Sequence, residues 1–262
     1  MLPAEMESLL HDLATVSGRE ALAHFRARPS VKDKAGGRAR FDPVTVADHA
    51  AEEAIRTLLA ERRPHDGILG EELDDTHGSS GYRWVVDPID GTRTYIAGLP
   101  VWGTIIGLEH GDRPVAGLFH QPFTRERFWA VDGKAWAQVE GQERIAMRTS
   151  TVRELSAATM MTTSPRIFAP EESPVYDRVE AAVQLARYGC DGYAYCMLAA
   201  GNIDLVVESG LQAFDVCGLV PIIEAAGGVF TSWTGEPAHG GGTVVAAATP
   251  ELHRAALDLL NA

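Results

Sequence analysis

The sequence is short of cations, of cysteine and of long apolar runs. Its 262 residues hold 23 Lys and Arg against 36 Asp and Glu, a net charge of −13. That balance repels phosphate backbones, which excludes non-specific nucleic-acid binding and argues against an anionic substrate unless a cation stands between. The three cysteines, Cys190, Cys196 and Cys217, show no CxxC spacing, so neither a disulfide framework nor a zinc site is expected. No stretch nears the ~20 consecutive apolar residues of a membrane helix. The opening MLPAEMESLLHDLA carries Glu5, Glu7 and Asp12 where a signal peptide would carry cations. A cytoplasmic protein with no membrane or nucleic-acid partner is expected. Walker A, HExxH and GxSxG strings are absent, and His239-Gly240-Gly241-Gly242 reads as a plain turn. The nine histidines lack metal-ligand spacing, which leaves oxygen donors for any metal.

What is present suits one large domain or two small ones. Leu9, Leu10, Leu13, Val16, Ala21, Leu22 and Phe25 recur near the 3.6 period and predict a first helix. A polar loop, Lys32 to Arg40, follows. Thr45 offers an N-cap for a second helix with Ala47, Ala51, Ala54, Ile55, Leu58 and Leu59 on its apolar face, ending before Pro64. Strands are predicted over Gly67–Gly70, Tyr82–Val86, Val101–Glu109, Val115–Gln121 and Arg127–Val131, with a hairpin at His110-Gly111-Asp112. From Arg148 strands and helices alternate: a strand at Ala158–Thr163, helices at Pro174–Ala186 and Gly192–Ala200, a strand at Ile203–Glu208. A helix at Val216–Ala226 is stopped by Gly227-Gly228. The expectation is an N-terminal α+β half, 1–149, built on an antiparallel sheet and carrying the metal motifs. A C-terminal α/β half, 150–262, would carry the substrate-specificity residues.

The chemistry concentrates in Trp84-Val85-Val86-Asp87-Pro88-Ile89-Asp90-Gly91-Thr92. An apolar strand runs into two carboxylates three residues apart. Pro88 keeps Asp87 extended, and Gly91 lets the backbone approach a ligand closely. A helix starting near Thr92 would place an anion site beside two acids, which makes sense when a divalent cation lies between. Taken singly, Asp-Pro and Asp-Gly are ordinary turn pairs. Gly70-Glu71-Glu72 follows another apolar strand and reads equally as a solvated surface pair. Asp215 opens an apolar helix, where a cap is the usual role, and Asp48 lies in a first turn that favours acids anyway.

Together, Val44 to Asp48 (VTVAD), Gly70 to Glu72 (GEE), Asp87 to Thr92 (DPIDGT) and Phe214 to Gly228 (FDVCGLVPIIEAAGG) resemble the inositol monophosphatase family. The resemblance covers nearly the whole chain. It implies the layered αβαβα sugar-phosphatase fold, a homodimer, and Mg²⁺-dependent hydrolysis of phosphate monoesters. It also implies two or three Mg²⁺ ions. Glu71, Asp87 and the Ile89 carbonyl would hold the first; Asp87, Asp90 and Asp215 would hold the second; Glu71 would share a third through waters. Thr92 and Asp48 would form the water-activating dyad, with Glu71 as a further catalytic group. Backbone N–H groups of Gly91 and Thr92 would grip the phosphate next to Asp90.

Arg187 to Tyr195 (RYGCDGYAY), Ile203 to Glu208 (IDLVVE), Thr162 to Pro165 and Phe41 to Thr45 resemble the histidinol-phosphate phosphatase branch, which acts in histidine biosynthesis. In that branch Asp191 and Glu208 would meet the substrate's cationic end through charge-assisted hydrogen bonds. Arg187 would either touch substrate or pair with a surface acid. Lys34 would screen the phosphate or stand as a plain loop lysine. This chain departs from the branch at Cys190-Asp191-Gly192, where Gly-Asp-Cys is common, and at Val46-Ala47-Asp48-His49, where Glu-Ala-Asp-Arg is common. An inositol or broader polyol-phosphate phosphatase is the alternative, and a non-catalytic regulatory module of the same fold is the reading from another class.

Overall fold

Helix α1 (Pro3–His24) turns Leu9, Leu10, Leu13, Ala14 and Ala21 inward, as the periodicity predicts. The computed structural model describes residues 1–27, 31–33 and 43–262. Strands β1 (Val31–Asp33) and β2 (Pro43–Thr45) pair antiparallel, so the expected loop begins with a strand. The rest of it, Lys34 included, lies outside the described residues. Thr45 caps α2 (Val46–Arg62), its hydroxyl accepting from the Ala47 N–H at 3.1 Å.

The first sheet follows chain order: β3 (Gly67–Gly70), β4 (Tyr82–Asp90), β5 (Gly103–His110), β6 (Pro114–Gln121), β7 (Glu126–Val131), β8 (Lys134–Val139) and β9 (Ile145–Ala146). A short helix, α3 (Thr92–Ile96), interrupts between β4 and β5. The sheet is not wholly antiparallel as expected. The connection 71–81 returns the chain to its starting end, so β3 and β4 run parallel. Strand β4 also continues past Val86 to Asp90, with a register shift against β5 between Asp87 and Asp90.

The second sheet contains β10 (Thr159–Thr162), β11 (Leu185–Tyr188), β12 (Leu205–Gln212), β13 (Val229–Thr231) and β14 (Gly241–Ala247), in the order β11-β10-β12-β14-β13. Its helices are α4 (Ser173–Ala182), α5 (Asp191–Ala199), α6 (Ala213–Val216), α7 (Leu219–Ala225) and α8 (Pro250–Leu260). The helix predicted over Pro174–Ala186 stops at Ala182, because Val183 is extended and leads into edge strand β11. The helix predicted over Val216–Ala226 is two helices. At the break, Gly218 packs on the Ile105 side chain and the Ile106 backbone with no room for a Cβ, and Pro221 sits in the first turn of α7.

The layers run α1 and α2, first sheet, α5 to α7, second sheet, α4 and α8, the expected αβαβα sandwich. Leu10, Leu13, Ile55 and Leu59 pack beneath Trp84, Leu108 and Trp129. Between the sheets, Ile105, Phe119 and Phe128 of the first half meet Leu198, Val216, Leu219 and Ile222 of the second. The middle core thus joins residues from both sides of position 149. Burial on both faces makes β4 apolar from Trp84 to Val86, and its C-terminal end brings Asp87 and Asp90 in between the layers.

Candidate active site

A cavity of about 540 Å³ opens where the end of β4 meets α5, β12 and α6. Glu71, Asp87, Ile89, Asp90, Gly91, Thr92, Asp191, Glu208 and Asp215 line it, drawn from four separate stretches of chain. Backbone hydrogen bonds fix Glu71, Asp87, Asp90 and Asp215. The Glu71 N–H donates to the Val86 carbonyl at 3.2 Å. Asp87 Oδ1 accepts from the Ile89 N–H at 3.0 Å, the close turn that Pro88 favours. Asp90 Oδ2 accepts from the Gly192 N–H at 2.7 Å, and Asp215 Oδ2 accepts from the Gln212 N–H at 2.6 Å. Gly91 is left-handed, with φ 79° and ψ 43°, and precedes α3, whose first-turn N–H groups have no acceptor within the helix.

The acids crowd one another. Loss of water, then repulsion from Glu71, Asp90 and Asp215, pushes Asp87 well above the usual carboxylate range. Asp90 is raised in the same way by burial and by Asp191 and Asp215. Burial carries Asp215 up to about 7 against the opposing Gln212 hydrogen bond, with Glu71, Glu208 and Asp191 adding to the rise. Among the described residues, no Lys or Arg forms an ion pair with Asp87, Asp90, Asp191, Glu208 or Asp215. Arg93 lines the cavity and its charge acts on Asp191, but the buried hard oxygens of Asp87, Asp90 and Asp215, with no ion-paired Lys or Arg among the described residues, fit a divalent metal. Among the described residues, however, no three acids are already drawn together at ion-binding separations.

Asp48 lies behind this wall, fully buried and off the cavity itself. Its Oδ2 accepts from the Thr45 N–H at 2.8 Å and hydroxyl at 2.6 Å, which leaves Oδ1 toward Thr92. The Thr92 hydroxyl reaches Asp48 Oδ1 at 3.5 Å and the Ile89 carbonyl at 3.2 Å, so its one proton is directed at Ile89 or Asp48 and its lone pairs are free for a water. Loss of water raises Asp48, against hydrogen bonds from Thr45.

Asp191 and Glu208 are held differently, by neutral donors. Asp191 accepts from the Thr94 hydroxyl at 2.8 Å and the Thr163 hydroxyl at 3.3 Å. Glu208 accepts from the Thr163 N–H at 2.7 Å and the Tyr195 hydroxyl at 2.9 Å. Thr163 therefore joins the two acids. Cys190 and Asp191 have φ of 93° and 44°, a left-handed pair that is uncommon outside glycine and seats the Asp191 carboxylate against Gly91. Arg187 is the expected substrate-side residue that the fold does not bring here. It is exposed on edge strand β11 and lines no part of the cavity.

Sequence reasoning missed Thr94 and Glu52. Thr94 is visible only once α3 and α5 pack together. Glu52 had a signal: an acid on the apolar face of α2, four residues after Asp48, is fully buried.

A family model described as the inositol monophosphatase family matches residues 2–262. The chain is 39% identical over 260 residues to the chloroplastic bifunctional phosphatase IMPL2 of Arabidopsis thaliana, covering 95% of this chain and 73% of that one. It is 36% identical over 265 residues to a histidinol-phosphatase of Streptomyces coelicolor, covering 97% and 96%. A solved inositol monophosphatase from Zymomonas mobilis superposes with a TM-score of 0.87 at 35% identity, covering 100% of both chains. Metal dependence is expected of this family.

Proposed function

The chain belongs to the inositol monophosphatase family, and from that premise we propose that it hydrolyses L-histidinol phosphate to L-histidinol and phosphate, with Mg²⁺, in histidine biosynthesis. Hydrolysis of a phosphate monoester comes with the family; the substrate is the proposal. The observation that carries it is the pair Asp191 and Glu208, two acids clasped by Thr94, Thr163 and Tyr195 on the wall of the phosphatase cavity. Histidinol phosphate brings an ammonium and an imidazole, which carboxylates held by neutral donors would bind with charge-assisted hydrogen bonds. A neutral polyol gains less from Asp191.

Glu71, Asp87, the Ile89 carbonyl, Asp90 and Asp215 would hold two or three Mg²⁺, whose charge lowers the pKa of a nearby water and steadies the leaving oxygen. The Thr92 hydroxyl would orient that water and pass proton density toward Asp48 Oδ1, the oxygen Thr45 leaves open. The Gly91 and Thr92 N–H groups would bind the phosphate oxygens at the start of α3. Glu71, which lines the same cavity, would act on the attacking water as a further catalytic group. In this account Asp48 never touches substrate, and its work passes through Thr92.

Turnover of purified phosphate monoesters with Mg²⁺ tests the substrate. Higher kcat/KM for inositol phosphate than for histidinol phosphate would sink the reading and favour the alternative, an inositol or polyol-phosphate phosphatase, which the Zymomonas mobilis likeness supports. No phosphate release from any ester would leave a non-catalytic module of the same fold. A cytoplasmic homodimer completes the proposal. The three free cysteines suit a reducing compartment, and exposed Leu99 and Phe123 flank Arg26 as an apolar surface. Sedimentation of the purified protein checks the dimer.

A further inference from the structure

Helix α2 presents two buried acids one turn apart, Asp48 and Glu52, on the face turned to the cavity wall. Asp48 is accounted for by Thr92. Glu52 touches neither cavity nor solvent, yet both its oxygens are used. Oε2 accepts from the Glu72 N–H at 2.8 Å, and Oε1 accepts from Arg56 Nε at 2.8 Å. Arg56 in turn donates to the Leu73 carbonyl and the Thr76 hydroxyl, both at 3.1 Å. Thr76 is tied by its own backbone to Ile68 of β3, with both bonds at 2.8 Å. The loop that leaves β3 is thus held from one side by the sheet and from the other by α2.

Glu71 sits in the middle of this clamp. Its own N–H is fixed to Val86, and the peptide that follows it is fixed to Glu52. Those two bonds set the backbone on both sides of Glu71 and so the direction of its side chain. Gly70 completes the arrangement, since a Cβ there would fall on the Glu52 carboxylate. A glycine is needed at that position for contact with Glu52, not for a left-handed turn.

We propose that Glu52 is a positioning residue for the metal site: it aims Glu71 into the cavity by holding the Glu72 N–H. This rests on the assignment of Glu71 as a metal ligand. Groups that orient a ligating carboxylate typically change metal affinity by about 10- to 100-fold when removed.

The test is calorimetric titration of Mn²⁺ into the substrate-free full-length protein, with circular dichroism and Tm beside it. Glu52→Ala, which leaves no oxygen for the Glu72 N–H, and Gly70→Ala, whose Cβ falls on the Glu52 carboxylate, disturb the same contact from opposite sides. Both should weaken Mn²⁺ about 10-fold while the secondary structure is kept, and Glu71→Gln should weaken it at least as much. A lowered Tm with an unchanged Mn²⁺ isotherm in both variants would overturn the inference, because Glu52 would then only brace the fold. An unchanged isotherm for Glu71→Gln would overturn the ligand assignment itself, and this inference with it. If Glu52→Ala does not fold, Gly70→Ala decides. Hydrogen exchange at the Glu72 amide of the unaltered protein gives an independent check: slow exchange is expected, and exchange at the rate of an open loop overturns the clamp.

Discussion

Asp66 and Asp87 are both buried acids served by strand β4, and burial has opposite consequences for them. At one end of the strand, Asp66 accepts from Arg63 at 2.8 and 3.0 Å, from the Ser80 hydroxyl at 2.6 Å and from Trp84 Nε1 at 3.0 Å. Burial pushes its pKa up, but those bonds and the Arg63 charge outweigh it, and the carboxyl ends below its ordinary value. At the other end Asp87 has no arginine, and burial and neighbouring acids carry it upward together. Glu52 with Arg56 and Glu109 with Arg83 are further buried acids in ion pairs with arginine outside the cavity. Asp66, Glu52 and Glu109 are thus each met by an arginine, whereas Asp87, Asp90 and Asp215 in the cavity have no ion-paired Lys or Arg among the described residues and suit a cation from solution.

Replacing an acid at either end should therefore give opposite results. Asp90→Asn, at the cavity end, removes a proposed ligand but keeps an oxygen for the Gly192 N–H. Turnover should fall about 10³-fold, as when one preorganised electrostatic group is lost, while Tm holds or rises as repulsion with Asp191 and Asp215 is relieved. Chelating the metal from the unaltered enzyme should match that loss, and added Mg²⁺ should raise Tm only where the ligands are intact. Phosphate release and thermal melts decide, and near-normal activity would remove Asp90 from the metal site. Asp66→Asn should do the reverse: a loss of about 2 to 3 kcal/mol in denaturant unfolding, since Arg63 and Trp84 lose their charged partner, with kcat/KM unchanged. An activity loss at constant stability would break the contrast.

One side of this contrast, the cavity end, is legible in the sequence. DPIDGT announced its acids because strand, proline and glycine fix one local geometry, and Asp87, Asp90 and Thr92 do meet in the cavity. Helix α1, capped helix α2 and the strands of the first sheet followed from period and turn chemistry. Strands β8 and β14 and helix α8 went unread, because Ala135, Ala137 and Ala246 bury too little side chain to stand out and the Gly240–Gly242 run looks like a turn. Helix and strand were confused at Val183–Ala186, where a short edge strand continues a helical pattern. The resemblance leaves Arg187 open between substrate contact and a surface pair; it stands off the cavity, separated from Asp191 by the left-handed backbone at 189–191. Sequence neighbours are not spatial neighbours across such a turn. The arginine partners of Asp66, Glu52 and Glu109 depended on packing and could not be chosen from the list of charges.

A basic counterpart of Asp87 sharpens the comparison through pH. His120 is buried, its Nδ1 donates to the Glu126 carbonyl at 3.1 Å, and its Nε2 edge lies against Gly18. With Nδ1 carrying the proton, Nε2 is the atom that would take a second one, and it has no acid beside it. Loss of water and then the nearby Arg127 charge lower its pKa to about 3. The unfolded chain takes up this proton below about pH 6.5 while the folded one does not. Stability is therefore fully present above pH 6.5 and falls by about 1.4 kcal/mol per pH unit below it, down toward pH 3. Between pH 7 and 5.5 the cavity acids titrate with the opposite sign, so the test is the difference: His120→Gln should lose less stability by urea unfolding over this drop in pH than the unaltered protein does. Equal changes would mean that His120 titrates as an ordinary exposed histidine.

The smallest effect tests whether acids held by neutral donors recognise a cation. Thr163 gives its N–H to Glu208 and its hydroxyl to Asp191. Thr163→Val keeps the first bond, because the backbone is unchanged, and removes only the second. Asp191 stays tied to Thr94 at 2.8 Å but gains freedom to rotate. One hydrogen bond to a carboxylate at 3.3 Å contributes about 1 kcal/mol, or about fivefold in KM. That loss should fall on histidinol phosphate and spare glycerol phosphate, which has no cationic end for Asp191 to hold. Thr163→Ser, which retains a hydroxyl, should restore most of it. Asp191→Ala should show the same selectivity more strongly. Equal losses on both esters would mean that Thr163 and Asp191 shape the cavity as a whole rather than recognise a cation.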